Sequence, residues 1–206
     1  MKPIQRYKTL TILFAPGIGG NHLANMISTS PLVADRVKNI LDYKQYLISM
    51  YENSNGKSFH ADEFLNFGVD RPDQAYNLIA NNTLTTLLPG HIEDGYWVLN
   101  HVRSLGKIGF ITMEVFDTDL IEFYKDKRDY VGASYNPHLY RFMYNKDVTS
   151  RILDISPDDG YAINSAEFLQ PDINLLLHKI NDELGLELDI DFCNQLNKIR
   201  FNKIKS

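Results

Sequence analysis

Thr9-Leu-Thr-Ile-Leu-Phe-Ala-Pro-Gly-Ile-Gly-Gly-Asn-His-Leu-Ala-Asn-Met-Ile27 is the stretch that decides how this chain folds. An apolar run from Leu10 to Ala15 breaks at Pro16 into a glycine cluster, Gly17, Gly19 and Gly20. Apolar residues then return at Leu23, Met26 and Ile27 with helical spacing. A strand that passes through a glycine turn into a helix aims several backbone N–H groups at one point, at the positive end of the helix dipole. Such a nest holds phosphate or sulfate. The P-loop pattern G-x-x-x-x-G-K-[ST] would place Lys and a hydroxyl where this chain has Gly20 and Asn21. The anion cradle is written in the loop; its usual cation is not.

Working outward, the spacing predicts a strand over 8–15 and a helix from Asn21 to Thr29 that Ser30-Pro31 interrupts. A second helical pattern covers Val33 to Tyr51. Asn53 to Ser58 is a loop, 52–72 reads as an insertion or lid, and Asp73 caps a short helix through Asn82. Thr83 to Leu88 is rich in β-formers and stops at Pro89-Gly90. A helix over Glu93 to Leu105 closes at Gly106. Lys107 to Val115 is apolar enough for a strand buried on both faces. Asp117 caps a helix over Thr118 to Lys127, Pro137 to Tyr144 reads as another helix, and Ser150 to Ile155 as a short strand. Tyr161 to Ala166 reads as the last strand. Pro171 opens a helix to Leu184 that Gly185 ends, and residues 189–204 form a final amphipathic helix. Strands alternate with helices, so the expected fold is α/β: a three-layer α/β/α domain with a central parallel sheet, spanning 1–206 as one unit.

Composition narrows the partners. The 206 residues carry a net charge of −5, which argues against broad electrostatic binding of nucleic acid or membrane. A phosphorylated ligand is therefore held locally, by a small site. The single cysteine, Cys193, excludes an internal disulfide and cysteine-rich metal sites and reads as a small apolar filler of the last helix. No apolar run reaches the roughly 20 residues of a membrane span, and residues 10–15 are too few for a signal core. A cytoplasmic location is expected. Abundant Asn, Ile, Lys and Tyr are compatible with an AT-rich genome such as a phage's, in which case the location is the host cytoplasm.

Four segments, Phe14 to Leu23, Leu87-Leu-Pro-Gly-His91, Lys107 to Asp119 and Tyr161 to Leu186, occur in the order and at the spacing of the P-loop sulfotransferase family, which the chain resembles over about a third of its length. Tyr161-Ala-Ile-Asn-Ser-Ala-Glu-Phe-Leu169, then Pro171 and the helix end Glu183-Leu-Gly-Leu186, is similar to the family's last strand, turn and helix end. The loop with Asn21 also resembles divergent sulfotransferase-like proteins of marine phages. The resemblance implies a P-loop NTPase-like fold and sulfuryl transfer from PAPS to a hydroxyl or amine of a small-molecule or sugar acceptor. Gly17, Ile18, Gly19, Gly20, Asn21 and His22 fall where the family's loop holds the phosphosulfate of PAPS or the phosphate of PAP. The family's loop Lys and helix-start hydroxyl are replaced here by Gly17 and by Gly20 and Asn21. Its Arg and Ser for the 3′-phosphate are replaced by Met113 or Glu114 and by residues near Ile121.

His91 is the candidate catalytic residue. It follows a strand and a Pro-Gly turn, so it belongs at the C-terminal edge of the sheet, where α/β sheets bind ligands. The resemblance gives it the task of taking the proton from the acceptor, and an imidazole is suited to that near neutral pH. The alternative is a histidine that bonds a turn. His22 either donates to an anion or packs as a half-buried ring. Glu114 ends the central strand and stands alone, so no metal is expected. Lys125, Lys127, Arg128 and Arg141 are candidate replacements for the missing cations, or a solvated helix face. No G-x-S-x-G elbow, zinc motif or complete dinucleotide fingerprint is present. Besides the sulfotransferase, a nucleotide or metabolite kinase-like enzyme and a catalytically inactive binding or virion protein stay open.

Overall fold

The computed structural model of the chain describes residue 7 and residues 9–14, 18–34, 40–53, 85–90, 107–114 and 145–205. Five strands, β1 (Thr9–Leu13), β2 (Val33–Ala34), β3 (Thr85–Gly90), β4 (Ile108–Glu114) and β5 (Gly160–Asn164), form one sheet in the order β2-β3-β1-β4-β5. Each neighbouring pair is parallel. Parallel neighbours cannot be joined by a hairpin, so the chain must cross over between them, and an α/β fold results. β1 sits between β3 and β4: Leu10 lies opposite Leu87 and Gly109, and Leu13 opposite Gly90 and Thr112. Residues 10–14 and 108–113 are buried without alternation. That is why both read as continuous apolar runs rather than as in-out patterns.

From β1 the chain moves past β3 to β2, whereas from β3 it moves past β1 to β4 and on to β5. Neighbouring strands β1 and β4 thus lead away in opposite directions. Ligands in open α/β sheets bind at such a reversal, beyond the C-terminal ends of the strands. The glycine turn leaves β1 at that end.

Helix α1 (Gly20–Ile27) follows the turn and is enclosed on nearly every side, with only Asn21 partly exposed. An enclosed helix has no water to satisfy its last carbonyls, and serine and threonine hydroxyls do so instead. Ser28 Oγ donates to the Asn25 carbonyl and Thr29 Oγ1 to that of Met26, while Ser30 Oγ reaches across to Leu186. The second helix, α2 (Ile40–Asn53), packs against the last one, α6 (Ile190–Lys205). Between β4 and the C-terminal region stand α3 (Lys146–Leu153), β5 and the single-turn helix α4 (Ser165–Phe168). Helix α5 (Asn174–Leu184) ends as expected, with Gly185 left-handed at φ 60° and its N–H on the Asn181 carbonyl.

Several boundaries differ from the expected ones. Ser150 to Ile155 is not a strand: residues 146–153 are helical, because Asn145 Oδ1 caps the N–H groups of Asp147 and Val148 and the Glu114 carboxylate takes that of Lys146. The β-branched residues there suggested a strand, and the cap overrides them. Val33 does not begin a helix but pairs with Thr85 in the short β2, and α2 is helical from Ile40. β3 runs through Pro89 and Gly90, opposite Ile12 and Leu13, rather than stopping before them. β5 ends at Asn164, whose side chain caps α4, so Ser165 and Ala166 are helical. Pro171 does not open α5, which begins at Asn174. The expected helices over 73–82, 93–105, 118–127 and 137–144 lie outside the described residues, as does the lid segment beyond Asn53.

Candidate functional site

The turn after β1 reaches α1 through Gly19, whose φ of 91° is left-handed. Only glycine takes that conformation without cost, and it lets the Gly19 carbonyl accept from Leu23 N–H at 3.0 Å, the first bond of α1. Gly20 is glycine for another reason: a Cβ there would run into the Phe14 ring. Ile18 is fully buried and anchors the turn in the core. The start of α1 thus lies beyond the end of β1, and neither Gly19 nor Gly20 carries a side chain of its own there.

A cation reaches this turn from the other end of the chain. Arg200, on α6, is 4% exposed. A Cβ built on Gly19 would lie 2.6 Å from Arg200 Nη2 and 3.2 Å from Phe168 Cε1, so the guanidinium lies directly against the turn. It also lies over the Phe168 ring, 5.8 Å from its centre. Phe168 is brought there by α4, which is fixed at its start by Asn164 on Ala166 N–H and by Ser165 Oγ on the Glu114 carbonyl at 2.7 Å.

One turn before Arg200, Asn197 clamps α6 to α1. Its Nδ2 donates to the Gln170 and Pro171 carbonyls at 3.0 and 3.1 Å, which leaves Oδ1 facing His22 Nε2 at 3.2 Å. Oδ1 can only accept, so Nε2 carries the proton. His22 Nδ1 is then the acceptor for the Tyr51 hydroxyl at 2.6 Å, and that hydroxyl accepts in turn from Asn25 Nδ2 at 3.1 Å. The chain Asn25, Tyr51, His22, Asn197 thus links α1, α2 and α6 through buried hydrogen bonds. A second tie joins α2 to α6: Lys44 Nζ meets Asp189 Oδ2 at 2.6 Å, and that hydrogen bond holds the Asp189 carboxyl below its ordinary range.

The residues expected at the site are distributed as follows. Ile18, Gly19, Gly20 and Asn21 form the turn and the start of α1, with Asn21 partly exposed. His22 is fully buried, its two ring nitrogens on Tyr51 and Asn197, and its ring is tilted against Phe168. Gly17 and His91 lie outside the described residues, and His91 follows Gly90, the last residue of β3. Glu114 Oε1 accepts from Lys146 N–H at 2.8 Å and so works as a helix cap. Among the described residues no three His, Cys, Asp or Glu side chains gather as a metal would need, and no helix is long and apolar enough to cross a membrane.

No protein-family model, curated protein or solved structure matches this chain. Arg200 is the residue that the loop's own sequence does not announce. Its signal lies in the last helix, where Cys193, Leu196, Asn197 and Arg200 share one buried stripe. An arginine and an asparagine on an apolar stripe need polar partners inside the fold.

Proposed function

We propose that the chain is a sulfotransferase-like protein of P-loop type, which binds PAPS or PAP at the turn of residues 17–22 and serves a hydroxyl or amine of a small acceptor. The observation that carries this is the left-handed Gly19 between the central strand β1 and the N-terminus of α1, at the point where the sheet reverses direction. Right-handed crossovers would put α1 on one face of the sheet and the connections leaving β3 and β4 on the other, giving three layers.

The residues fit the anionic part of the cofactor. The first turn of α1 supplies N–H groups that the helix itself does not use, and the Arg200 guanidinium stands close against where a Cβ on Gly19 would lie. Gly19, Gly20, Asn21 and Arg200 are the groups that would hold it. Bound PAPS supplies the sulfuryl group. His91 directly follows β3, whose Gly90 pairs with Leu13 at the edge where the turn begins, and it is the proposed base for the acceptor.

Thermal unfolding with PAP, PAPS, ATP and sulfate tests this. PAP at a hundredfold excess over its Kd adds about 2.7 kcal/mol to stability, which raises Tm by about 5–10 °C for a chain of this size. A shift with ATP but not with PAP would move the protein to the kinase-like class. Unchanged Tm with PAP and PAPS would overturn the proposal in favour of a protein without this chemistry.

A further inference from the structure

We infer that Arg200 is the working cation of the glycine turn, supplied by the last helix instead of by the loop and kept in place by the Asn197–His22 hydrogen bond. This rests on the proposal that the turn is an anion site and adds which residue sets its affinity and charge preference. A P-loop without its lysine still offers N–H groups and a helix dipole, but these are partial charges and favour any small anion weakly. A guanidinium adds a full charge with its donors fixed in one plane, which matches two oxygens of a phosphate or sulfate group.

The placement is specific. Arg200 is buried rather than solvated, it touches Gly19, and its plane is carried on Phe168. Asn197 is three residues earlier on the same face of α6 and is held by three hydrogen bonds, two to carbonyls before α5 and one to His22 on α1. His22 is only three residues beyond Gly19, so the clamp and the guanidinium address the same turn of α1. The ligand class is a phosphate or sulfate oxyanion, with nucleotide phosphates such as PAP as its larger representatives. His22 and Asn197 are positioning residues, since their ring nitrogens and carboxamide are used in holding α6.

Calorimetric titration with PAP and with sodium sulfate tests the inference. Arg200→Gln should weaken PAP about 10- to 100-fold, the range for a lost charge-assisted hydrogen bond. Arg200→Lys, which keeps the charge and loses the fork, should recover part of that affinity. Asn197→Ala should weaken PAP although Arg200 is intact. Leu196→Ala, on the same buried stripe, should lower Tm and leave PAP affinity unchanged, which separates ligand binding from the general cost of loosening α6. PAP affinity in Arg200→Gln equal to wild type would overturn the inference and leave the anion site standing. Wild-type protein that binds neither PAP nor sulfate would overturn the anion site itself. Should Arg200→Gln fail to fold, the wild-type arginine Nε–H resonances decide. One that moves and saturates on adding sulfate, and is missing in Arg200→Lys, supports the inference; none that moves overturns it.

Discussion

Gly19→Ala puts the geometry of the turn to a quantitative test. At φ 91° a side chain costs about 1–2 kcal/mol in backbone strain. The new Cβ would also lie 2.6 Å from Arg200 Nη2, well inside the roughly 3.5–4.0 Å at which nonbonded atoms pack. Arg200 is 4% exposed, so its guanidinium cannot swing into water, and an off-rotamer escape costs about 0.5–1.5 kcal/mol. Alanine stiffens the unfolded chain and returns about 0.4–1 kcal/mol. The net loss is about 0.5–3 kcal/mol, or about 1–12 °C in Tm. Urea unfolding followed by circular dichroism measures it. The same substitution in an Arg200→Ala background should cost less by about 1 kcal/mol, because only the backbone strain is left; that difference is the coupling in a double-mutant cycle. A Gly19→Ala protein as stable as wild type would refute the left-handed turn. A coupling of zero would refute the contact between α6 and the turn.

Three further outcomes follow from the core. Cys193 is fully buried, and burial pushes its thiol up to about 12 from 9.0, so a thiol reagent at pH 8 should label it only after urea unfolds the chain; prompt labelling of native protein would contradict that packing. Because the folded value is the higher one, the unfolded chain loses this proton first. The stabilisation is therefore complete below pH 9.0 and is lost as pH rises from 9.0 to about 12, which urea midpoints across that range would show. Gly160 opens β5 opposite Phe110, whose fully buried ring occupies the space a Cβ would need, so Gly160→Ala should lower stability by about 1–3 kcal/mol through overpacking. An unchanged urea midpoint would show that the ring is free to move aside.

The sequence disclosed most where two signals agreed. Leu10 to Leu13 is apolar, β-rich and followed by glycines, and both the strand and the turn appear where they were expected. Gly185 after a periodic segment likewise ended its helix. Sequence was less informative where a distant group decides. The helix at 146–153 depends partly on the Glu114 carboxylate, and the late start of α5 leaves the Pro171 carbonyl to Asn197. Val33 and Ala34 are too few to show a period, and only pairing with Thr85 and Thr86 makes them a strand. At the site, the glycines were legible because their backbone demand is local. Arg200 was not, because its role comes from a helix packing across the fold; a search for cations near the loop or after the third strand passes over it.

Among the described residues every strand pairing is parallel, which has a consequence for how the protein is made. β1 waits for β3 and β4 before either of its edges is paired, and no two neighbouring strands are joined by a local hairpin. Folding must close long loops before those pairings repay their entropy, so slow kinetics are the rule for such a topology. The clamp adds an order of events. His22 leaves a ribosome 175 residues before its partner Asn197, so α1 cannot have its native surroundings until that much more chain has been made. Until α6 docks, a nearly all-buried helix lacks its cover, which makes the nascent intermediate the form of this protein most in need of a chaperone.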